Sequence, residues 1–109
     1  MLKTLKSSTT TNPAALLPIP TVGEILPEEF LKPLALSQNA LARAVAVPPR
    51  RINEIVLGKR TVTADTDLRL TKYFRLSAGF FLRLQMEHDL RVGQRVLGEK
   101  LDAIAPRAV

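Results

Sequence analysis

The stretch Ser37-Gln38-Asn39-Ala40-Leu41-Ala42-Arg43-Ala44-Val45-Ala46-Val47-Pro48-Pro49-Arg50-Arg51-Ile52-Asn53-Glu54-Ile55-Val56-Leu57-Gly58 decides the fold. Ser37 is a helix cap, and Gln38 to Ala46 follow it as a helix with Leu41, Ala42 and Val45 on one face. Val47 and the Pro48-Pro49 pair break that helix, because a residue before proline is pushed toward extended backbone, whereas Pro49 suits the first position of a new helix. The new helix runs from Pro49 to Leu57, turns Ile52, Ile55 and Val56 inward, and stops where Gly58 can act as a C-terminal cap. Two short helices crossing steeply need a small residue at their approach. Ala42 supplies it, over a shared core of Leu41, Val45, Val47, Ile52 and Ile55. The pair is therefore a helix-turn-helix. Its second helix presents Arg50, Arg51 and Glu54 outward near the N-terminus with Asn53 beside them, side chains able to address base edges in a major groove. Glu54 is spaced either to pair with a neighbouring arginine or to accept from cytosine.

On the N-terminal side, Thr21 and Glu24 have capping-box spacing for a helix starting at Val22, whose stripe is Ile25, Leu26, Phe30 and Leu31. Pro27 falls inside this helix and predicts a kink or a shortened regular segment, and Pro33 ends it. On the C-terminal side, Thr63 caps a helix over Ala64 to Phe74 that carries Asp65 and Asp67 in its first turn and basic residues toward its end. Ser77 is the expected cap of a last helix bearing Phe80, Phe81, Leu84 and Met86, with a pattern that continues through Leu90, Leu97 and Ile104. Gly93 and Gly98 weaken its second half. No strand pattern and no repeat competes, so the expectation is an all-α fold of about five helices. Residues 1–18 are expected to form a flexible tail, 19–92 the helix-turn-helix domain, and 93–109 a C-terminal helical extension or tail.

The chain has 109 residues and a formal net charge of +6, and the surplus is uneven. Between Arg43 and Arg75 eight basic residues face three acids, a local excess that attracts polyanions. Five aromatic residues, Phe30, Tyr73, Phe74, Phe80 and Phe81, are placed for packing and argue against a base-stacking single-strand binder. No cysteine is present, which excludes disulfides and thiolate metal sites. No apolar run approaches the roughly 18 residues a membrane span needs, so the expected compartment is the cytoplasm. His88 is the one histidine, and its neighbours Glu87 and Asp89 point about 100° away from it on a helix. With no phosphate-cradling loop and no paired carboxylates, catalysis is not expected, nor is a cofactor or metal.

The order S-Q-x-x-L-A followed by I-x-x-I-x-x-G resembles the lambda-repressor-like (XRE) helix-turn-helix. More narrowly, Val22-Gly23-Glu24-Ile25-Leu26, Leu36 to Ala42, Arg51-Ile52-Asn53-Glu54-Ile55, Gly58-Lys59-Arg60, Thr63-Ala64-Asp65-Thr66 and Asp89-Leu90-Arg91 are similar to the HigA-type, or VapI-type, antitoxins. The resemblance spans about residues 19–92. It implies a five-helix lambda-repressor-like domain with a C-terminal dimerisation helix, and a homodimer that binds a palindromic operator on double-stranded DNA. It also implies neutralisation of a RelE-like mRNA endonuclease, HigB, the alternative being a solitary repressor with no toxin partner. By the same resemblance Gln38 would hold a phosphate, Arg50, Arg51 and Glu54 would face the major groove, and Lys59 and Arg60 would reach the backbone. A single recognition helix reads too few bases for useful affinity, which independently favours a dimer. Phe81, Leu84, Leu90 and Leu97 of the last helix are the expected seam.

Overall fold

A computed structural model describes residues 18–108, so the expected tail lies, apart from Pro18, outside the described residues. These residues form helices only. Helix α1 (Val22–Ile25) runs directly into a π-helical segment (Leu26–Leu31). Then follow α2 (Gln38–Ala44), α3 (Pro49–Val56), α4 (Ala64–Phe74), α5 (Phe80–Leu97) and a last short turn, α6 (Glu99–Asp102).

The capping box forms as expected: Glu24 N–H donates to Thr21 Oγ1 at 3.1 Å, and Thr21 N–H donates to Glu24 Oε1 at 2.9 Å. Pro27 leaves a shortened regular α-helix, Val22–Ile25, on its N-terminal side, yet the chain does not stop coiling there. The backbone widens instead, with Lys32 N–H donating to the Pro27 carbonyl five residues back. A proline has no N–H to give the usual ladder, and a π turn re-partners the groups around it. Helix α1 lies against α3 and α5, and the reason is Gly23: a Cβ there would stand 2.4 Å from the Ile55 carbonyl oxygen and 2.9 Å from that of Val56. Only glycine allows this approach.

The core joins Val22, Leu26 and Leu31 to Leu41, Ala42, Val45, Val47, Ile52 and Ile55, with Val62, Leu70 and Phe81 closing it. Beside it Phe30 gathers an aromatic cluster, its ring centroid 4.9 Å from that of Phe74 and 5.4 Å from that of Phe81. The aromatics pack as expected, although Tyr73 remains exposed at the edge.

Three sequence expectations are corrected. Helix α2 ends at Ala44, two residues short of the expected Ala46, because Ala46 adopts a left-handed conformation (φ 61°). Val47 N–H then bonds back to the Ala42 carbonyl and Ala46 N–H to that of Arg43, a Schellman end made without glycine. Ser77 does not cap α5, whose N-cap is Gly79. Asp67 of α4 supplies the missing acceptors, taking the N–H of Gly79 at 2.6 Å, of Phe81 at 2.9 Å and of Leu82 at 3.1 Å. Finally, Phe81 is fully buried in the protomer core and is not available as a seam residue. Leu84 is half-buried against that core, while Leu90 and Leu97 are open. Helix α5 passes through Gly93 uninterrupted and stops at Gly98.

Candidate nucleic-acid interface

Helix α3 displays the polar residues that the sequence singled out, but they do not form one equivalent set. Ile52 and Ile55 bury one side of the helix, which leaves Arg50 and Glu54 on the opposite side and directs Arg51 and Asn53 to its two flanks. The Arg50 side chain is 83% exposed and donates through Nε to Glu54 Oε2 at 2.8 Å. Glu54 is only 22% exposed. Its other oxygen accepts from Arg60 at 2.9 Å, so one carboxylate lies between a cation of the helix and a cation of the following loop. Of the two sequence readings of Glu54, the structure shows the ion pair. The Arg50 hydrogen bond first, and then that of Arg60, holds the Glu54 carboxyl below the usual carboxylate range; the same contact raises Arg50.

Asn53 turns toward α2, where its Nδ2 donates to Gln38 Oε1 at 2.7 Å. Gln38 therefore braces the recognition helix, and its own amide nitrogen has no partner among the described residues. Arg51 turns the other way. Its side chain is 30% exposed and donates to Asp65 Oδ2 of α4 at 2.6 Å. Lys59 stands on the exposed loop after α3 with no ion pair among the described residues. That loop is fixed to α5 by Gln85, which accepts from the Val62 N–H at 2.7 Å and donates to the Val62 carbonyl at 2.9 Å. Gly58, at φ 76°, makes the turn that sends the chain from α3 into this loop.

Sequence reasoning missed three residues that place these side chains: Gln85, Asp65 and Arg69. Arg69 Nη1 donates to the carbonyls of Val45, at 2.9 Å, and Ala46, at 3.2 Å, and its Nε donates to Asp65 at 3.1 Å. The acid was visible as a favourable charge in the first turn of α4 and as part of the resembling Thr63-Ala64-Asp65-Thr66 stretch, with no contact assigned to it. Its partner on α3, Arg51, and the turn carbonyls that Arg69 holds lie many residues away in the chain, where no local pattern points. Asp65 is held below the usual carboxylate range by Arg69 first and Arg51 after it.

No group of metal-binding side chains occurs among the described residues, and no helix there is long and apolar enough to cross a membrane. The arrangement instead is a small, exposed, cationic helix end braced from both flanks. No family model matches the sequence. Virulence-associated protein I of Dichelobacter nodosus is 52% identical over 73 residues, a match covering 67% of this chain and 68% of that protein. The structure of antitoxin HigA from Pseudomonas aeruginosa with the higBA promoter is similar with a TM-score of 0.75 at 37% identity, covering 84% of this chain and all of that one. An addiction module antidote protein of the HigA family from Coxiella burnetii aligns with a TM-score of 0.76 at 36% identity, covering 84% of this chain and all of its own. The all-helical architecture and the likeness along the helix-turn-helix agree, and the chain belongs to the HigA family of helix-turn-helix antitoxins.

Proposed function

We infer that the protein is a sequence-specific DNA-binding antitoxin, repressing its own operon and neutralising a RelE-like mRNA endonuclease by binding it. The observation that carries the DNA reading is Arg50: an 83% exposed guanidinium near the N-terminus of the second helix of a helix-turn-helix, oriented by Glu54 and not consumed by it. Support comes from the Pseudomonas aeruginosa relative, whose structure was solved with promoter DNA. Arg50 reads a base edge. The Gln38 amide, Lys59 and Arg60 hold phosphates on either side. In this reading Asn53 and Arg51 brace the helix, a role supported by their contacts with Gln38 and Asp65.

The active unit is a homodimer on a palindromic site, with two α3 helices about 34 Å apart on one face of the duplex. Its seam is the stripe that α5 leaves uncovered: Met86, Leu90 and Leu97, continued by Leu101 of α6. Such an exposed apolar stripe, with Val92 and Val96 also open beside it, is what a second copy covers. The protein works in the cytoplasm, as a binding protein and not as an enzyme.

The test has two arms. Selection from a random-sequence duplex pool should yield a two-fold symmetric site, bound at one dimer per duplex. Co-expression with the toxin encoded beside the gene should give a stable complex and restore growth. Enrichment of no sequence would refute the repressor reading; a symmetric site without toxin rescue would leave a solitary repressor.

A further inference from the structure

The first turns of α4 hold both arms of the helix-turn-helix. Asp65 Oδ2 accepts from Arg51 of the recognition helix at 2.6 Å and from Arg69 Nε at 3.1 Å. Arg69 in turn holds the carbonyls of Val45 and Ala46, the two residues just past the end of α2. Ala46 has φ 61° without glycine's tolerance of that region, so the turn gains from a partner that fixes it. One carboxylate and one guanidinium thus tie α3, the turn and α4 together. The result is visible in the two adjacent arginines: Arg50 is 83% exposed and Arg51 only 30%.

We propose that Asp65 and Arg69 are positioning residues for DNA readout, which hold Arg51 against α4 and fix the turn so that Arg50 enters the groove at one angle. Neither needs to touch DNA. An untethered Arg51 would reach phosphates in registers that leave Arg50 without its base, so a scrambled duplex gains a contact while the selected duplex gains it only by giving up the Arg50 one. Asp65 therefore weakens non-specific binding and protects discrimination. The proposal rests on the DNA-binding reading above.

The sign of the effect separates this role from simple charge. If Asp65 were only a surface acid near DNA, Asp65→Asn would strengthen binding to every duplex alike. As a positioning residue, its loss strengthens binding to scrambled DNA and leaves the selected site unchanged or weaker. The pairs are partly exposed, so neither substitution should cost much stability, and thermal unfolding of each variant controls for folding.

The experiment measures affinity of the full chain for a duplex selected by the unmodified protein from a random pool, and for its scrambled version, across a salt series. Preference of the unmodified protein for the selected duplex tests the DNA-binding reading itself. Given that preference, Asp65→Asn should lower the selected-to-scrambled ratio by about tenfold, the scale of one base contact. Arg69→Gln and Arg69→Lys should both lower the ratio while leaving the salt slope of the scrambled duplex unchanged. In an Arg51→Gln background the effect of Asp65→Asn should largely vanish, because Asp65 acts through Arg51. Equal strengthening on both duplexes by Asp65→Asn would overturn the proposal, as would full rescue by Arg69→Lys or a salt slope lowered by about 2 per dimer, the mark of a direct phosphate contact. If Arg69→Gln fails to fold, the Asp65 and Arg51 variants decide alone.

Discussion

The Asp67 carboxylate of α4 closes the N-terminus of α5 on the far side of a loop, with Oδ1 accepting the Phe81 N–H at 2.9 Å. The same carboxylate takes the N–H groups of Gly79 and Leu82. A helix start buried beside a core needs acceptors for its free N–H groups, and Asp67, only 1% exposed, provides them from another helix. Asp67→Ala leaves these donors unpaired and should cost roughly 2 to 4 kcal/mol. Urea unfolding reads this as a lower midpoint at unchanged slope. A loss below about 0.5 kcal/mol would mean water replaces the carboxylate without penalty.

Gly23→Ala tests the closest approach in the fold. Its Cβ would meet the Ile55 carbonyl oxygen at 2.4 Å, a backbone atom that moves only if α1 and α3 separate. The gain in helix propensity, about 1 kcal/mol, is smaller than the strain of an overpacked contact, roughly 1 to 3 kcal/mol or more. The variant should therefore be less stable in chemical denaturation. An increase in stability would show that the helices part easily.

Local signals carried much of the fold. Ser37, Thr63 and the Thr21–Glu24 box cap the helices they were expected to cap. Pro49 and Gly58 bound α3 because one has a fixed φ and the other tolerates a positive one. What escaped was long-range or unusual. No propensity assigns Ala46 to a left-handed turn, and no local spacing links Asp67 to Phe81. The two adjacent arginines look alike in sequence; Asp65, from another helix, distinguishes them. The periodic stripe of α5 likewise did not reveal where the core stops covering it, which is why Phe81 and Leu90 looked equivalent.

Glu54 gives a pH signature. Its carboxyl is held below its ordinary value by Arg50 and then Arg60, so the folded state favours the charged form. A depressed folded pKa contributes stability that is fully present above the unfolded pKa and lost as pH falls through the folded one. The difference in melting temperature between the unmodified protein and Glu54→Gln should thus be constant from about pH 8 to 6 and should shrink below about pH 4. A difference that grew on acidification would show that folding favours the protonated carboxyl.

Arg50 and Lys59 should fail in different ways. Arg50→Ala should cost roughly 1 to 3 kcal/mol on the selected duplex and relax preference at one symmetric base position. Lys59→Ala should weaken all duplexes comparably. Each phosphate neutralised contributes about 0.9 to the slope of log affinity against log salt, and a dimer carries two copies, so the slope should fall by about 2. Salt titrations of both variants on selected and scrambled duplexes decide. Equal weakening of both duplexes by Arg50→Ala, with an unchanged slope in Lys59→Ala, would contradict the division between reading and anchoring.

Helix α5 leaves the protomer core along its length, and on the dimer reading this separates folding from assembly. Phe81 is fully buried in the protomer, whereas Leu90 and Leu97 are 56% and 43% exposed on the arm beyond the core. Phe81→Ala should therefore act on the protomer itself, costing roughly 3 to 5 kcal/mol of stability. Leu90→Glu with Leu97→Glu should leave the protomer helical and folded but convert dimer to monomer, because two carboxylates would be buried unpaired in the seam. DNA binding should follow assembly. A monomer engages one half-site, so affinity for the symmetric duplex should collapse while affinity for a single half-site is retained. Sedimentation and circular dichroism of the double variant, followed by binding to full and half sites, check each step. A double variant that remained dimeric would place the seam elsewhere on the molecule, and a monomer that bound the full site as tightly as the unmodified protein would remove the need for a dimer altogether.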